Sequence, residues 1–296
     1  MPITKSSRAL INLHSSALLF GMAGLFASWL TLNPLLIVLG RVFFASITLA
    51  IILKLKKQAF RLKIRSDMPR FVALGFLLAF HWTTFFHSIQ LSTLAIALFS
   101  FSTFPLFTFL LEALILKVPL GWSNFVLVLI SLCGLYLVVP IISWSESPSE
   151  LAGLFWGLSS ALSFALLAIA NRALSGQYSA WQISFHQDLW ATMFLVSVLF
   201  FLDFPWSLEN IGLLILLGTV FTALAHGLYI SSLKEISATT ASLVIALEPV
   251  YGVIAALILF NEVPSIRTIS GGLLILGASL YVSIMGRRPL KINSKL

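Results

Sequence analysis

Apolar residues in this chain fall into long unbroken runs separated by short polar breaks, unlike the alternation of a half-buried strand or the single stripe of a soluble helix. Each run approaches the ~20 residues a helix needs to cross a hydrocarbon layer about 30 Å thick. Runs at 12–31, 33–53, 70–90, 92–116, 121–141, 150–172, 180–202, 209–232, 238–260 and 266–286 predict about ten transmembrane helices, with ends good to about 2 to 4 residues. Composition agrees: 296 residues that are 59% hydrophobic and 9% charged cannot be wrapped in a polar skin, which excludes a soluble globule. The predicted fold class is an all-α membrane protein whose loops are too short for a folded soluble domain. Lys5 and Arg8 before ALLFGMAGLFASWL imitate a secretory signal, but no small-residue cleavage site follows, so the segment reads as a retained first span. Cys133 is the single cysteine and lies in an apolar run, which leaves no disulfide framework and no thiolate metal cluster.

Charge then orients the spans. Lys54, Lys56, Lys57, Arg61, Lys63, Arg65 and Arg70 crowd the connection after the second run, and basic loops stay in the cytoplasm. An even number of spans puts both termini on that side too, which suits Lys5 and Arg8 at one end and Arg287, Arg288, Lys291 and Lys295 at the other. Lys117, Arg172 and Lys234 fall on inner connections, while the outer ones hold Glu146, Glu150, Asp203, Glu209 and Glu262 with Arg267. The net charge of +8 is thereby explained by topology and by attraction to anionic lipid, and no nucleic-acid partner is implied. The expectation is a multi-pass inner-membrane protein, monomer or homodimer, whose partners are the bilayer and a small-molecule substrate.

The chain also repeats. LSTLAIALFSFSTFP is echoed by ISATTASLVIALEP, LKVP by NEVP, and LISLCGLYLVV by LILGASLYVSI, in the same order. Five spans before an acidic linker and five after it predict two inverted five-helix repeats, an arrangement found in secondary transporters with a site near the midplane. The expected division is a cytoplasmic N-terminus at 1–11, a first repeat at 12–141, an external linker at 142–149, a second repeat at 150–286 and a basic cytoplasmic tail at 287–296. Pro105 and Pro249 correspond, and each should kink its helix by removing an amide donor and crowding the carbonyl four residues earlier. They are candidate gating hinges.

The Glu-Pro pair in LEPVYGVIAALILFNEVPSIRTISGGLLILGASLYV, with HWTTFFHSIQLST in the third span and an arginine opening LGRVFF in the second, resembles the EamA-type family of the drug/metabolite transporter superfamily. The resemblance covers about 12 to 286. It implies a ten-helix carrier of two five-helix repeats, typically exporting amino acids or related small metabolites in bacteria. Lys117 departs from it, standing where the family carries a Glu matching Glu262.

Ionisable groups deep in a hydrocarbon layer are costly and face a partner or a wet cavity. Counting rise along each span puts Arg41, His81, Asp188 and Glu248 in one layer, within roughly 12 to 18 Å of the inner surface. These four, with Trp82 and Tyr251, are the candidate substrate-binding or coupling residues. Glu248 shares a helical face with Val244, Tyr251, Gly252 and Ala255, which could border a ligand or pack tightly on another helix. Its carboxylate serves transport or a structural pairing. Arg41 could hold a substrate carboxylate bidentately or pair internally with Asp188 or Glu248. The segment WQISFHQDLWAT carries Gln182, Ser184, His186, Gln187, Asp188 and Thr192 and should line water. His81, His87, His186 and His226 are read as hydrogen-bonded structural histidines rather than metal ligands or proton sensors, because none shares a face at ligand spacing. Trp82, Trp156 and Trp190 lie deep and either wall a cavity or pack outward. Glu112 and Lys117 at the inner end of the fourth span are expected to snorkel.

No fixed acid, base and nucleophile, no metal set and no cofactor motif is visible, so the chain is not read as an enzyme. A Walker G-x-x-x-x-G-K-[ST] is missing, which argues against ATP as the drive within it. The leading expectation is a secondary carrier of small polar metabolites working by alternating access, most simply an amino-acid or metabolite exporter coupled to protons or exchange. An uptake or exchange carrier for a nucleoside-like or S-adenosyl metabolite would share the architecture. An intramembrane lipid-modifying enzyme would need a cluster such as D-D-x-x-D at one face, which the sequence lacks.

Overall fold

A computed structural model describes residues 4–30, 32–92, 97, 100–117, 121–138, 148–203, 207–260 and 263–285. In chain order the helices are α1 (Lys5–Ala23), α2 (Phe26–Trp29), α3 (Pro34–Leu55), α4 (Met68–Leu91), α5 (Phe104–Leu116), α6 (Trp122–Val138), α7 (Pro148–Leu174), α8 (Ala180–Leu195), α9 (Leu208–Gly218), α10 (Ala225–Ser232), α11 (Ala238–Ile245), α12 (Glu248–Phe260) and α13 (Ile266–Met285). Local chemistry sets the starts. The side chains of Thr4, Asn33, Ser179, Ser207 and Ser237 each accept from an amide of the first turn that follows, satisfying a donor that the helix itself cannot. That cap starts α1 at Lys5, ahead of the expected span start at 12.

Six helices among the described residues are long and apolar enough to cross a membrane, and shorter apolar helices lie at Phe104–Leu116, Trp122–Leu137 and Ile266–Tyr281. Their burial is inverted relative to a soluble protein. On α3, Arg41, Ala45, Leu49 and Leu53 are buried at four-residue spacing, while Phe43, Ile47, Ile51 and Leu55 point outward. Large apolar side chains cover the outside because the solvent there is lipid, and the polar groups turn inward. The protein is an all-α membrane protein.

Neighbour relations survive an exchange of halves. Pair α1 with α7, α3 with α8, α4 with α9–α10, α5 with α11–α12, and α6 with α13. Then α4 packs on α7 as α10 packs on α1, α4 on α8 as α9 on α3, and α5 on α7 as α11 and α12 on α1. The pairs α3·α8, α6·α13 and α5·α11 map onto themselves. Close approaches obey the same rule. A Cβ at Gly218 of α9 would lie 2.6 Å from Phe44 Cβ and 2.8 Å from the Arg41 carbonyl, and one at Gly75 of α4 would run into Trp190 of α8. Likewise a Cβ at Gly21 of α1 would lie 2.6 Å from the Glu248 carbonyl, and one at Gly157 of α7 would meet Ser100.

Both proline-bearing spans are interrupted for two residues just before the proline. The chain turns at Ser102–Thr103 before α5 and at Ala246–Leu247 between α11 and α12, and Pro105 and Pro249 occupy the first turn of the helix that restarts. In a first turn proline's missing donor costs nothing, because that amide has no partner within the helix. A third break is unrelated to proline: Thr219–Leu224, between α9 and α10, is π-helical.

At the end of the bundle carrying the basic loop, the first half is bonded to the second. Ser179 Oγ donates to Gln58 Oε1 at 2.7 Å, Gln182 Nε2 to the Arg61 carbonyl at 2.9 Å, and the Tyr178 hydroxyl to Asp67 at 2.7 Å. Burial, and then that bond to Asp67, hold the Tyr178 phenol above its usual range, so it remains a donor. Much of the polar face of α8 is spent here and within the bundle. His186 Nε2 lies 2.9 Å from the Phe60 carbonyl, Gln187 bonds to Asn171, and Thr192 turns back to the Asp188 carbonyl. Part of the segment is thus a packed seam, while Ser184 Oγ, Gln187 Oε1 and both Asp188 oxygens are buried without hydrogen-bond partners among the described residues.

Candidate functional site

Arg41 is 1% exposed at the middle of α3. Its Nε donates to Thr222 Oγ1 at 3.2 Å, and its guanidinium carbon lies 3.4 Å from the centre of the Trp82 ring on α4. The π-helical segment accounts for the first contact. Thr222 Oγ1 bonds to the Leu217 carbonyl five residues back at 2.8 Å, and the extra residue in that turn presents the hydroxyl to α3. Such π turns recur at functional sites. Gly218 supplies the space, since the Arg41 carbonyl occupies the volume a side chain would fill.

Aromatic rings from both halves continue the wall. His226 of α10 stacks on Trp82 with centroids 6.0 Å apart and planes 14° from parallel, and Phe20 of α1 meets His226 edge-on at 5.3 Å. Phe164 of α7 stacks on Tyr229 at 5.8 Å. His81 Nδ1 lies 2.9 Å from Ser160 Oγ and 3.1 Å from the Ser160 carbonyl, which ties α4 to α7, and its ring sits 4.8 Å from Trp82.

The charges are unevenly satisfied. Asp188 is fully buried, and neither carboxylate oxygen has a hydrogen-bond partner among the described residues. Arg41 Nη2, Trp82 Nε1 and the Tyr229 hydroxyl are also buried without partners. Asp188 and the half-buried Glu248 act electrostatically on Arg41, yet among the described residues no ion pair within 4.0 Å joins it to either. Leaving buried polar groups unpaired costs roughly 1 to 3 kcal/mol each, more when charged.

The structure thus gathers Arg41, His81 and Trp82 in contact, with Asp188 and Glu248 in electrostatic reach. Tyr251 stands one turn beyond Glu248, its Cβ against Gly21, outside that contact group. Trp82 packs inward beneath Arg41, and the direct internal ion pair considered for Arg41 is not formed. Phe20, Thr222 and Tyr229 join the site without having been anticipated. They are ordinary residues of apolar runs whose facing depends on helix rotation and on the π turn. Glu112 and Arg172 correct the expectation for the inner ends: Glu112 is 3% exposed and does not snorkel, and Arg172 is 7% exposed rather than free in a loop. Among the described residues no group of three or more His, Cys, Asp or Glu could hold a metal ion.

Known proteins place this arrangement. The S-adenosylmethionine uptake transporter of Rickettsia prowazekii (strain Madrid E) is 26% identical over 208 residues, covering 70% of this chain and 69% of its own. The pseudopaline exporter CntI of Pseudomonas aeruginosa (strain UCBPP-PA14) is 29% identical over 245 residues, covering 82% and 84%. A transporter of Bacillus subtilis (strain 168), YxxF, is 23% identical over 84% of this chain and 81% of its own. A solved crystal structure superposes with a TM-score of 0.79 at 18% identity, covering 96% of this chain and 99% of that one, a likeness of fold alone. The model of the EamA-like transporter family matches twice, over residues 7–139 and 151–284, and between them these matches span nearly the whole sequence. A membrane bundle of two matching halves fits that double match, and the chain belongs to the EamA-like transporter family.

Proposed function

We propose that this transporter is a secondary carrier of small zwitterionic metabolites, with Arg41 receiving the carboxylate and Asp188 the ammonium of the cargo. The observation that carries this is the pair of opposite buried charges that stop short of each other, one with a free N–H and the other with both oxygens unspent. A planar guanidinium held by Thr222 and Trp82 is oriented to receive a carboxylate without reorganising. Cargo that pairs with both charges relieves their desolvation, so binding is selective for the double charge. Two inverted five-helix repeats, divided as the sequence suggests at 142–149, would present this site alternately to each side, with both termini in the cytoplasm of the inner membrane.

Export is the leading direction. It is supported by the pseudopaline exporter, which matches 82% of this chain against 70% for the S-adenosylmethionine uptake transporter. One observation favours uptake of an S-adenosyl compound: the near-parallel Trp82 and His226 rings suit a flat base, and relatives with that named cargo exist. Counterflow in proteoliposomes with labelled amino acids and labelled S-adenosylmethionine tests both. Exchange of at least one zwitterion that Asp188→Asn loses supports the proposal. Equal counterflow by the parent chain and Asp188→Asn, or transport of solutes lacking either charge, would overturn it.

A further inference from the structure

Glu112 of α5 is buried with both oxygens engaged. Oε1 accepts the Ala238 amide at 2.9 Å and Oε2 the Thr239 amide at 2.8 Å, so a carboxylate from the first half caps α11 of the second. Arg172 of α7 places its Nε 3.5 Å from Oε1 and donates from Nη1 to the Leu233 carbonyl at 2.8 Å and to that of Ile236. One ion pair therefore fastens α5, α7, the end of α10 and the start of α11. Elements α7 and α10 also wall the candidate site, through Phe164 and His226. Leu233 follows Tyr229 by one helical turn, about 6 Å of rise, so the knot lies directly on the basic-loop side of the aromatic wall. Tyr229, whose hydroxyl is buried and unpartnered, is within electrostatic reach of Glu112.

We propose that Glu112 and Arg172 are a latch of the carrier's cytoplasmic gate, one that must open for cargo to pass between the site and the basic-loop end. The inference rests on the carrier reading above. A route from the site to that end between α5, α7, α10 and α11 must break these bonds, which join the four. The latch opens as a unit, because losing either charge leaves the other buried and uncompensated. Three charge-assisted contacts on one carboxylate make its closed form the default of the unloaded protein.

The test reads accessibility, which needs no cargo. In a Cys133→Ser chain, Tyr229→Cys is labelled with a membrane-impermeant maleimide in inside-out and right-side-out vesicles, with Lys57→Cys as the exposed reference. With the latch intact, labelling from the cytoplasmic face should be at least about tenfold slower than at the reference, and Glu112→Gln should raise it about tenfold or more, the effect of losing a hydrogen bond to a charged group. Arg172→Lys, which keeps the charge but cannot reach Glu112 and the two carbonyls from separate nitrogens, should do the same and carries the reading if Glu112→Gln is degraded. Fast cytoplasmic labelling with the latch intact would overturn the proposal. So would variants present at parental amounts that leave labelling unchanged or speed it only from outside. A latch that opens in a chain moving none of the tested zwitterions would sink the carrier reading and leave the gate standing.

Discussion

At the scale of single residues, what matters is how little of Arg41's capacity the protein uses. A guanidinium has five N–H donors in a fixed fork, and the structure engages Nε with Thr222 and the flat face with Trp82 while leaving Nη2 buried and free. Lysine offers charge without the fork or the stackable plane. Arg41→Lys should therefore lower counterflow by about tenfold or more with membrane abundance retained, an effect of about 1.4 kcal/mol or more on cargo binding. A saturation curve shows it as a raised half-saturation concentration. Unchanged kinetics would mean the charge alone suffices. Much of this was legible in the sequence: ionisable residues in apolar runs are rare, and counting rise put Arg41, His81, Asp188 and Glu248 at one depth. The role of Glu112 was not. Its acceptance of amides from a helix 126 residues away leaves no local signature, and a carboxylate near a helix end with Lys117 nearby looks like an interfacial anchor.

Among elements, the breaks are the informative feature. Pro249 was expected to kink its helix, and the helix is interrupted at Ala246–Leu247, with proline in the first turn after the interruption. Replacing it by alanine removes the steric bar to a ladder running through Ala246 and Leu247. Pro249→Ala should thus cut transport severalfold while abundance and thermal midpoint in detergent hold; a loss confined to abundance would reduce the proline to a packing device. The close crossing at Gly218 behaves in the opposite way. Gly218→Val forces atoms into the Arg41 carbonyl and Phe44, an overpacking cost of about 1 to 3 kcal/mol that should appear as a lowered thermal midpoint before any transport assay is run. Prolines announce such sites in sequence, whereas the π turn at Thr219–Leu224 does not. It takes no special residue, only one more than the helix needs, and so Thr222 went unseen.

Over the whole molecule, the exchange of halves that the sequence echo predicted is present in the packing, where each neighbouring pair among the main contacts has its counterpart. The echo was readable because the repeated positions, two prolines and two Val-Pro pairs, stand out chemically in an apolar background. The proposed orientation makes a direct prediction. Single cysteines at Lys5, Lys57 and Lys234 in a Cys133→Ser chain should all label from the cytoplasmic face, and one at Glu209 from the outside. Labelling of Lys57 and Lys234 positions from opposite faces would remove the inverted arrangement.

The halves match in packing but not in charge. The position 144 residues after Glu112, the spacing that relates Pro105 to Pro249, is an alanine, so the ion pair securing one end of the bundle has no twin at the other among the described residues. A machine with interchangeable halves would spend equal time facing each compartment; the gate proposed above would bias this one to wait outward. The slow step would then be the return of the empty protein, and solute supplied on the far side should hasten the cycle, so that swapping one molecule for another outpaces one-way discharge.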